Sequence, residues 1–368
     1  MEILNNKPRV NNSILFFPSG DRELPSADLR IYLLADELRK EELIIHGLIT
    51  HGKQCLVINP FLSNEEKIMY LKYLKVPGII VIQKTYQEFN RVSNFIPFKE
   101  KFKIIYDVDD YHPTQFNREL AEFSDAVICG SHFVLEYNKK FNSKSYLLLS
   151  PIRTELFKPL PERFDTLTIC WSENWAQAFL KDLAMIEPVI KRLRERYKFD
   201  LLLQGWRKEE GLITHGLITQ ELITQDLKPQ YQGLLRKAKE MFPFAIFDSH
   251  RPLKEFLKDG LPNLQKSHIG IMPFTEERQG KAAQNLRGFM AIGLPTVASP
   301  YGEQEYVIKH GENGFLANNE EEWERYLSEL IESEELRKQI GEKAHKYISD
   351  NYSVRKYIEG FKKILEEL

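Results

Sequence analysis

The fold class that this sequence predicts is α/β, with two Rossmann-like doubly wound domains facing across a cleft. Three observations predict it. Short apolar runs alternate with longer amphipathic stretches from Ser13 onward. That rhythm breaks at Pro159-Leu160-Pro161 and then starts again. The chain has 368 residues, about twice the length of an ordinary single domain.

Taken in order, the first series of apolar runs is Ile14–Phe17, Cys55–Asn59, Gly78–Ile82, Ile104–Asp107, Ala126–Cys129 and Tyr146–Leu149. Between the runs lie helical periodicities, such as Leu29, Leu33, Leu34 and Leu38 on one face. Strands that are apolar throughout are buried on both faces, so helices must cover both sides of a parallel sheet. The second series reads Leu167–Trp171, Leu201–Gln204, Ala245–Phe247, Ile269–Met272 and Thr296–Ala298. A stripe of Leu183, Ile186, Val189, Ile190 and Leu193 separates its first two strands, and Pro188 inside it predicts a kink or a first turn. Asn319 with Glu322 predicts a capped helix start. Ser353 precedes a last helix striped by Val354, Tyr357, Ile358, Phe361, Ile364, Leu365 and Leu368. In open α/β sheets a ligand lies outside the carboxyl ends of the strands, so the strand ends of both series are the places to look for chemistry.

Composition excludes several classes. A net charge of −2 argues against nucleic acid as a partner, because phosphate binding demands a basic surplus. The three cysteines, Cys55, Cys129 and Cys170, are odd in number and far apart. They read as buried reduced thiols, with no disulfide framework and no zinc spacing. The opening MEILNNKPRVNN has no apolar signal core and no window is long enough to span a bilayer. The expectation is a cytoplasmic protein, with room for peripheral contact at the inner membrane face through the basic run Lys191–Lys198. The hexapeptide Gly-Leu-Ile-Thr-His-Gly at 47–52 recurs at 211–216, and reads as loop or short-helix filler.

The most informative stretch is Phe274–Ser299. It reads as a strand ending at Pro273, a polar loop, a helix starting near Gly280 and a turn at Gly293. A glycine at a strand-to-helix junction lets backbone amides face an anion, and Lys281 adds a full charge to the helix end. Gly280, Lys281, Ala282 and Ala283 are therefore the expected diphosphate cradle. A Walker A loop fails here, since Thr275 and Ala282 stand where Gly and Ser or Thr are required. No G-x-G-x-x-G occurs anywhere.

Met290–Ser299 followed by Ile308–Leu316 resembles the C-terminal signature of family 4 and related retaining glycosyltransferases, which have the GT-B fold. Ser124–Ser131, Ile152–Pro159 and Pro25–Arg30 resemble other segments of that family. The resemblance implies an acceptor domain over 1–152, a nucleotide-sugar domain over 153–352, and a helix over 353–368 packed back on the first domain. It also implies transfer of a sugar, with retention, from a nucleotide-sugar donor to a hydroxyl of a glycan, lipid-linked or small-molecule acceptor, as in polysaccharide biosynthesis. No cofactor and no metal is implied; the nucleotide sugar is a co-substrate.

One departure bears on activity. The family's E-x7-E glutamates fall at Gly280 and Gly288, so both are missing. Glu276 or Glu277 is the expected substitute for the first, and Glu303 or Glu305 approaches the nucleotide from the next loop. By the same resemblance, Lys181 is a second cation for the diphosphate. In the first domain, Asp110 and His112 are candidates for contact with the sugar or acceptor hydroxyl. The Asp107-x-Asp109 pair reads as a strand end and not as a metal site. Gly20, Asp21 and Arg22 form the acceptor-side loop. The missing glutamates also support an alternative, a catalytically weak protein that binds a nucleotide or glycan as a partner subunit.

Overall fold

The structure is a computed structural model and describes residues 13–40, 44–45, 48–49, 54–73, 78–84, 89–111, 113–206, 233–249 and 252–368. Its strands are β1 (Ser13–Phe17), β2 (Ile44–Ile45), β3 (Leu48–Ile49), β4 (Gln54–Val57), β5 (Gly78–Gln83), β6 (Phe102–Val108) and β7 (Ala126–Cys129). They continue with β8 (Ser145–Leu147), β9 (Thr168–Ser172), β10 (Asp200–Trp206), β11 (Ile246–Ser249), β12 (Ile269–Met272), β13 (Thr296–Ala298) and β14 (Phe315–Leu316). Every apolar run expected to be a strand overlaps one, although Ile58 and Asn59 lie beyond β4 and Leu148 and Leu149 beyond β8.

The chain divides into two units. The first takes residues up to Gly130, Val134–Leu148 and Ile358–Leu368; the second takes Ser131–Phe133 and Leu149–Tyr357. In the first, six parallel strands lie in the order β4-β1-β5-β6-β7-β8. The order reverses between β1 and β5, so the crevice of this sheet opens beyond Phe17 and Gln83. Its core is aromatic as well as aliphatic: Phe17 stacks on Phe89 at 5.4 Å, and Phe95 meets both rings edge-on. The last helix, Val354–Glu366, buries Tyr357, Ile358, Phe361, Ile364 and Leu365. Phe361 lies 6.4 Å from the Phe16 ring.

The second unit has six parallel strands in the order β11-β10-β9-β12-β13-β14. Here the reversal falls between β9 and β12. The helix Leu180–Arg196 buries all five residues of the expected stripe and runs through Pro188, which therefore does not mark its first turn. Asn319 Oδ1 accepts from the Glu322 amide at 2.9 Å, the expected cap of the helix Glu320–Glu332.

Three local expectations are corrected. The first long helical stretch, residues 25–40, buries Ala27, Ile31, Leu34 and Leu38, leaving Leu29 and Leu33 partly exposed. A π-turn over Asp28–Tyr32 changes the helical phase. It also carries Arg30 inward, where it is fully buried. Its Nε donates to Asp107 Oδ2 at 2.9 Å, and its Nη1 donates to the Leu148 carbonyl at 2.9 Å. The first Gly-Leu-Ile-Thr-His-Gly copy is not filler throughout, since Leu48–Ile49 pairs antiparallel with Ile44–Ile45. The second copy lies outside the described residues. Finally, β14 was not expected; two residues are too few to show a period.

The Arg30–Asp107 pair yields a prediction. Arg30→Leu leaves an uncompensated buried carboxylate and should destabilise the protein by about 3–5 kcal/mol, read as a lowered urea midpoint. The double variant Arg30→Leu, Asp107→Leu should regain most of the loss. A double variant no more stable than the single one would show that the pair is not what holds this helix.

Candidate functional site

At the reversal point of the second sheet, β9 ends at Ser172 and Glu173 follows it directly. The Glu173 amide donates to the Gln204 carbonyl at 3.2 Å. Its own carbonyl faces Gly205, the site of a register shift in β10 between Gln204 and Trp206. Gly205 has φ +105°, and a Cβ built on it would sit 1.7 Å from the Glu173 oxygen. A bulge and a missing side chain are thus what let Glu173 leave the sheet at this point.

On the other side of the reversal, β12 leads into Pro273–Ala283. This loop is clamped from two directions. Asp182, fully buried on the helix Leu180–Arg196, accepts from the Thr275 amide at 2.7 Å, from Thr275 Oγ1 at 3.1 Å and from Arg278 Nε at 3.1 Å. Gly302, at φ +64°, lies under the carbonyls of Arg278, Gln279 and Lys281. The Glu303 amide donates to the Lys281 carbonyl at 3.2 Å. The helix starts at Gln284 and not near Gly280, because Ala283 takes a left-handed conformation (φ 48°, ψ 37°) as its N-cap. The N-cap itself, an alanine, supplies no side-chain acceptor to the first-turn amides.

Lys281 and Arg278 both approach the Phe179 ring, at 5.9 and 4.2 Å. Glu173 is buried, and that burial pushes its carboxyl up to about 7. Lys281, a hydrogen bond with Asn285 and the charge of Arg278 pull the other way, while Asp182 adds to the rise. Glu173, a buried acid that the sequence reading missed, thus feels the charge of the lysine that the sequence singles out. The only signal for it was its place directly after the first strand of the second series.

The remaining expected residues are more scattered. Lys181 pairs with Glu277 at 2.8 Å on the surface, with the two side chains 73% and 69% exposed. Glu276 and Glu305 are exposed. Glu303 is buried; its Oε2 accepts from the His132 amide at 2.9 Å and its Oε1 lies 3.0 Å from His132 Nδ1. The His132 ring stacks on Tyr306 at 3.9 Å. Gly280, Lys281, Ala282 and Ala283 are together in the clamped loop, Ala282 and Ala283 both buried. At Gly288 a Cβ would meet Phe157 at 3.4 Å, so the second missing glutamate position faces an aromatic ring.

In the first unit, the reversal point brings together Ser19, Gln83 and Lys84. Ser19 donates through both N and Oγ to Gln83 Oε1 at 3.0 Å. Lys84 is left-handed (φ 52°); its Nζ lies 2.6 Å from Asp109 and 3.6 Å from Asp110. Lys84 and Ala283 are the only non-glycine residues with positive φ among the described residues, and each lies at a reversal point, where strain is most often functional. Asp110 is partly exposed there. His112 lies outside the described residues. Gly20 is covered by the Leu24 side chain, whose Cδ2 would be 2.9 Å from an added Cβ. Asp21 accepts from the Glu23 amide at 3.0 Å, and Arg22 pairs with Asp36 at 2.6 Å. Asp21 and Arg22 thus brace the helical stretch that follows. Among the described residues no group of three or more His, Cys, Asp or Glu could hold a metal ion, and no helix is long and apolar enough to cross a membrane.

The clamped loop and the helix after it fall inside a stretch that matches a known family model, glycosyl transferases group 1, over residues 263–347. Residues 263–347 are thus similar to that family. Two uncharacterized glycosyltransferases of Methanocaldococcus jannaschii match as well. One is 38% identical over 91 residues, 24% of this chain and 23% of the relative. The other is 34% identical over 107 residues, 28% of this chain and 29% of the relative. The match thus spans about a quarter of the length of these curated relatives. Among solved structures, sucrose-phosphate synthase from Thermosynechococcus elongatus aligns with a TM-score of 0.66 at 11% identity, covering 97% of this chain and 99% of the other. A glycosyltransferase from Rickettsia africae aligns at 0.65 and 13% identity, covering 96% and 98%. Anabaena HepE in complex with UDP and glucose aligns at 0.65 and 16% identity, covering 96% and 99%. The chain has the GT-B fold.

Proposed function

We propose that the protein transfers a sugar from a nucleotide-sugar donor to a hydroxyl of a glycan, lipid-linked or small-molecule acceptor. The observation that carries this is the coincidence of the group 1 segment, 263–347, with the clamped loop at the β9/β12 reversal. The bond between the sugar C1 and the diphosphate oxygen breaks with its electron pair on the diphosphate. Lys281 and the first-turn amides of Gln284 and Asn285 stabilise that growing charge from a fixed geometry. Asp110, at the first sheet's reversal point, contacts the acceptor hydroxyl in this reading. Transfer proceeds with retention and without a metal, as the family resemblance implies, on the cytoplasmic side of the membrane.

Turnover of UDP-, GDP- and ADP-glucose, followed by release of the nucleoside diphosphate, tests the donor class. Turnover should be the same within error with and without chelator. A large loss on chelation, restored by magnesium or manganese, would overturn the metal-independent chemistry. A second reading rests on Gly280 and Gly288: a protein that binds a nucleotide or glycan without turning it over. Tight binding of a nucleotide sugar with no turnover, alone or with any acceptor, would favour it.

A further inference from the structure

We propose that His132 recognises the donor sugar, its Nε2 accepting a hydrogen bond from a sugar hydroxyl, with Glu303 as the positioning residue that aims it. The inference rests on the donor site proposed above. His132 belongs to Ser131–Phe133, the short piece of chain grouped with the second unit. The Glu303 carboxylate is 1% exposed, and among the described residues no lysine or arginine pairs with it. Both of its oxygens are given to His132, Oε2 to the backbone amide at 2.9 Å and Oε1 to ring Nδ1 at 3.0 Å. A carboxylate only accepts, so Nδ1 carries the proton of the neutral ring and Nε2 presents a lone pair. One face of the ring lies on Tyr306 at 3.9 Å and 10°, which restrains it from turning. Among the described residues Nε2 makes no hydrogen bond, and the His132 side chain is 35% exposed. Capping the chain at His132 needs only the Oε2 contact, which a short neutral side chain supplies elsewhere. A buried carboxylate spent on Nδ1 as well fixes the tautomer and the direction of an imidazole that meets a ligand.

The ligand follows from the place and from the lone pair. The Glu303 amide donates to the Lys281 carbonyl at 3.2 Å, so the His132–Glu303 pair stands beside the diphosphate cradle. A diphosphate has no proton to give a lone pair at neutral pH, whereas a hydroxyl does. Glu303 follows β13, which pairs with β12 on the side away from β9. The nucleoside and the sugar leave a diphosphate at the β9/β12 reversal in opposite directions. The β10–β11 side carries the rings of Trp206 and Phe247, 5.5 Å apart, and rings are what a flat base stacks on. The β13 side, with His132, is left to the sugar.

The experiment is calorimetry of the full chain with UDP-, GDP- and ADP-glucose, each beside its own nucleoside diphosphate. His132→Asn keeps an amide nitrogen near the place of Nδ1 for Glu303, and His132→Phe keeps a ring on Tyr306; both lack Nε2. In each, the nucleotide sugar should bind about tenfold more weakly, and the nucleoside diphosphate as in the parent protein. Glu303→Gln, which leaves one acceptor for two donors, should show the same selective loss. A merely structural clasp would weaken both ligands alike. Equal losses, or unchanged affinity for the nucleotide sugar in both His132 variants, would overturn the role of His132 and leave the donor site standing. If one variant fails to fold, the other carries the comparison. Failure of the parent protein to bind any of the three nucleotide sugars would overturn the donor site, and the sugar contact with it.

Discussion

Lys281→Ala is expected to lower kcat by about 10²–10³, the usual cost of about 2.7–4 kcal/mol for losing one preorganised donor to a developing oxyanion. The lysine lies in a loop held by Asp182 on one side and by Gly302 and Glu303 on the other, so in the proposed donor site it would reach the diphosphate without reorganisation. Phosphate charge grows as the C1–O bond breaks, and the loss should therefore appear in kcat more than in KM. The melting temperature should change little, because the clamp that holds the loop is made by other residues. Lys181→Ala is the comparison. Its surface pair with Glu277 contributes little to stability, and its effect on turnover should be smaller. Full activity in Lys281→Ala would move the diphosphate elsewhere, and full activity in both variants would remove the site.

The second large effect is expected at Gly205. Gly205→Ala places a methyl group where the Glu173 carbonyl already lies, 1.7 Å from the would-be Cβ, on a backbone with φ +105°. Neither the bulge nor the turn after β9 can yield easily, because Gln204 is buried and bound to Ser172, Asp248 and Gly260. The cost should exceed about 4 kcal/mol, in the range kept for strain at special backbone positions. Denaturant titration of the purified variant checks it. A midpoint within error of the parent protein would mean that the two strand ends part readily, and that Glu173 is not rigidly placed.

The sheets were legible because burial on both faces leaves continuous apolar runs, such as Ile79–Ile82 and Ile269–Met272, that need no knowledge of their neighbours. The helix stripe Leu183–Leu193 and the Asn319 cap were legible for the same reason, being local in the chain. The helix start at Gln284 was not. An alanine in a left-handed conformation leaves no compositional trace, so glycine at 280 looked like the better junction. The burial of Arg30 was hidden because it depends on a π-turn and on Asp107, far away in sequence. Glu173 was hidden most deeply. A glutamate after a strand is ordinary, and its placement here depends on Gly205 on the next strand. Of the expected site residues, the segment 280–283 falls at the reversal point of its sheet. Lys181 and Glu277 pair on the surface instead, because each satisfies the other's charge.

The return of the last helix to the first unit has a consequence for how the protein is made. Ribosomes deliver the chain in order, and the strands β1 and β4 to β8 emerge well before Phe361, which lies beside Phe16, and Gly360, which fits against Leu148. Throughout synthesis of the second unit, the nascent first sheet must wait with the surface around Phe16 and Leu148 uncovered. The later-encoded unit can close upon its own residues as they appear. The earlier-encoded one is finished last.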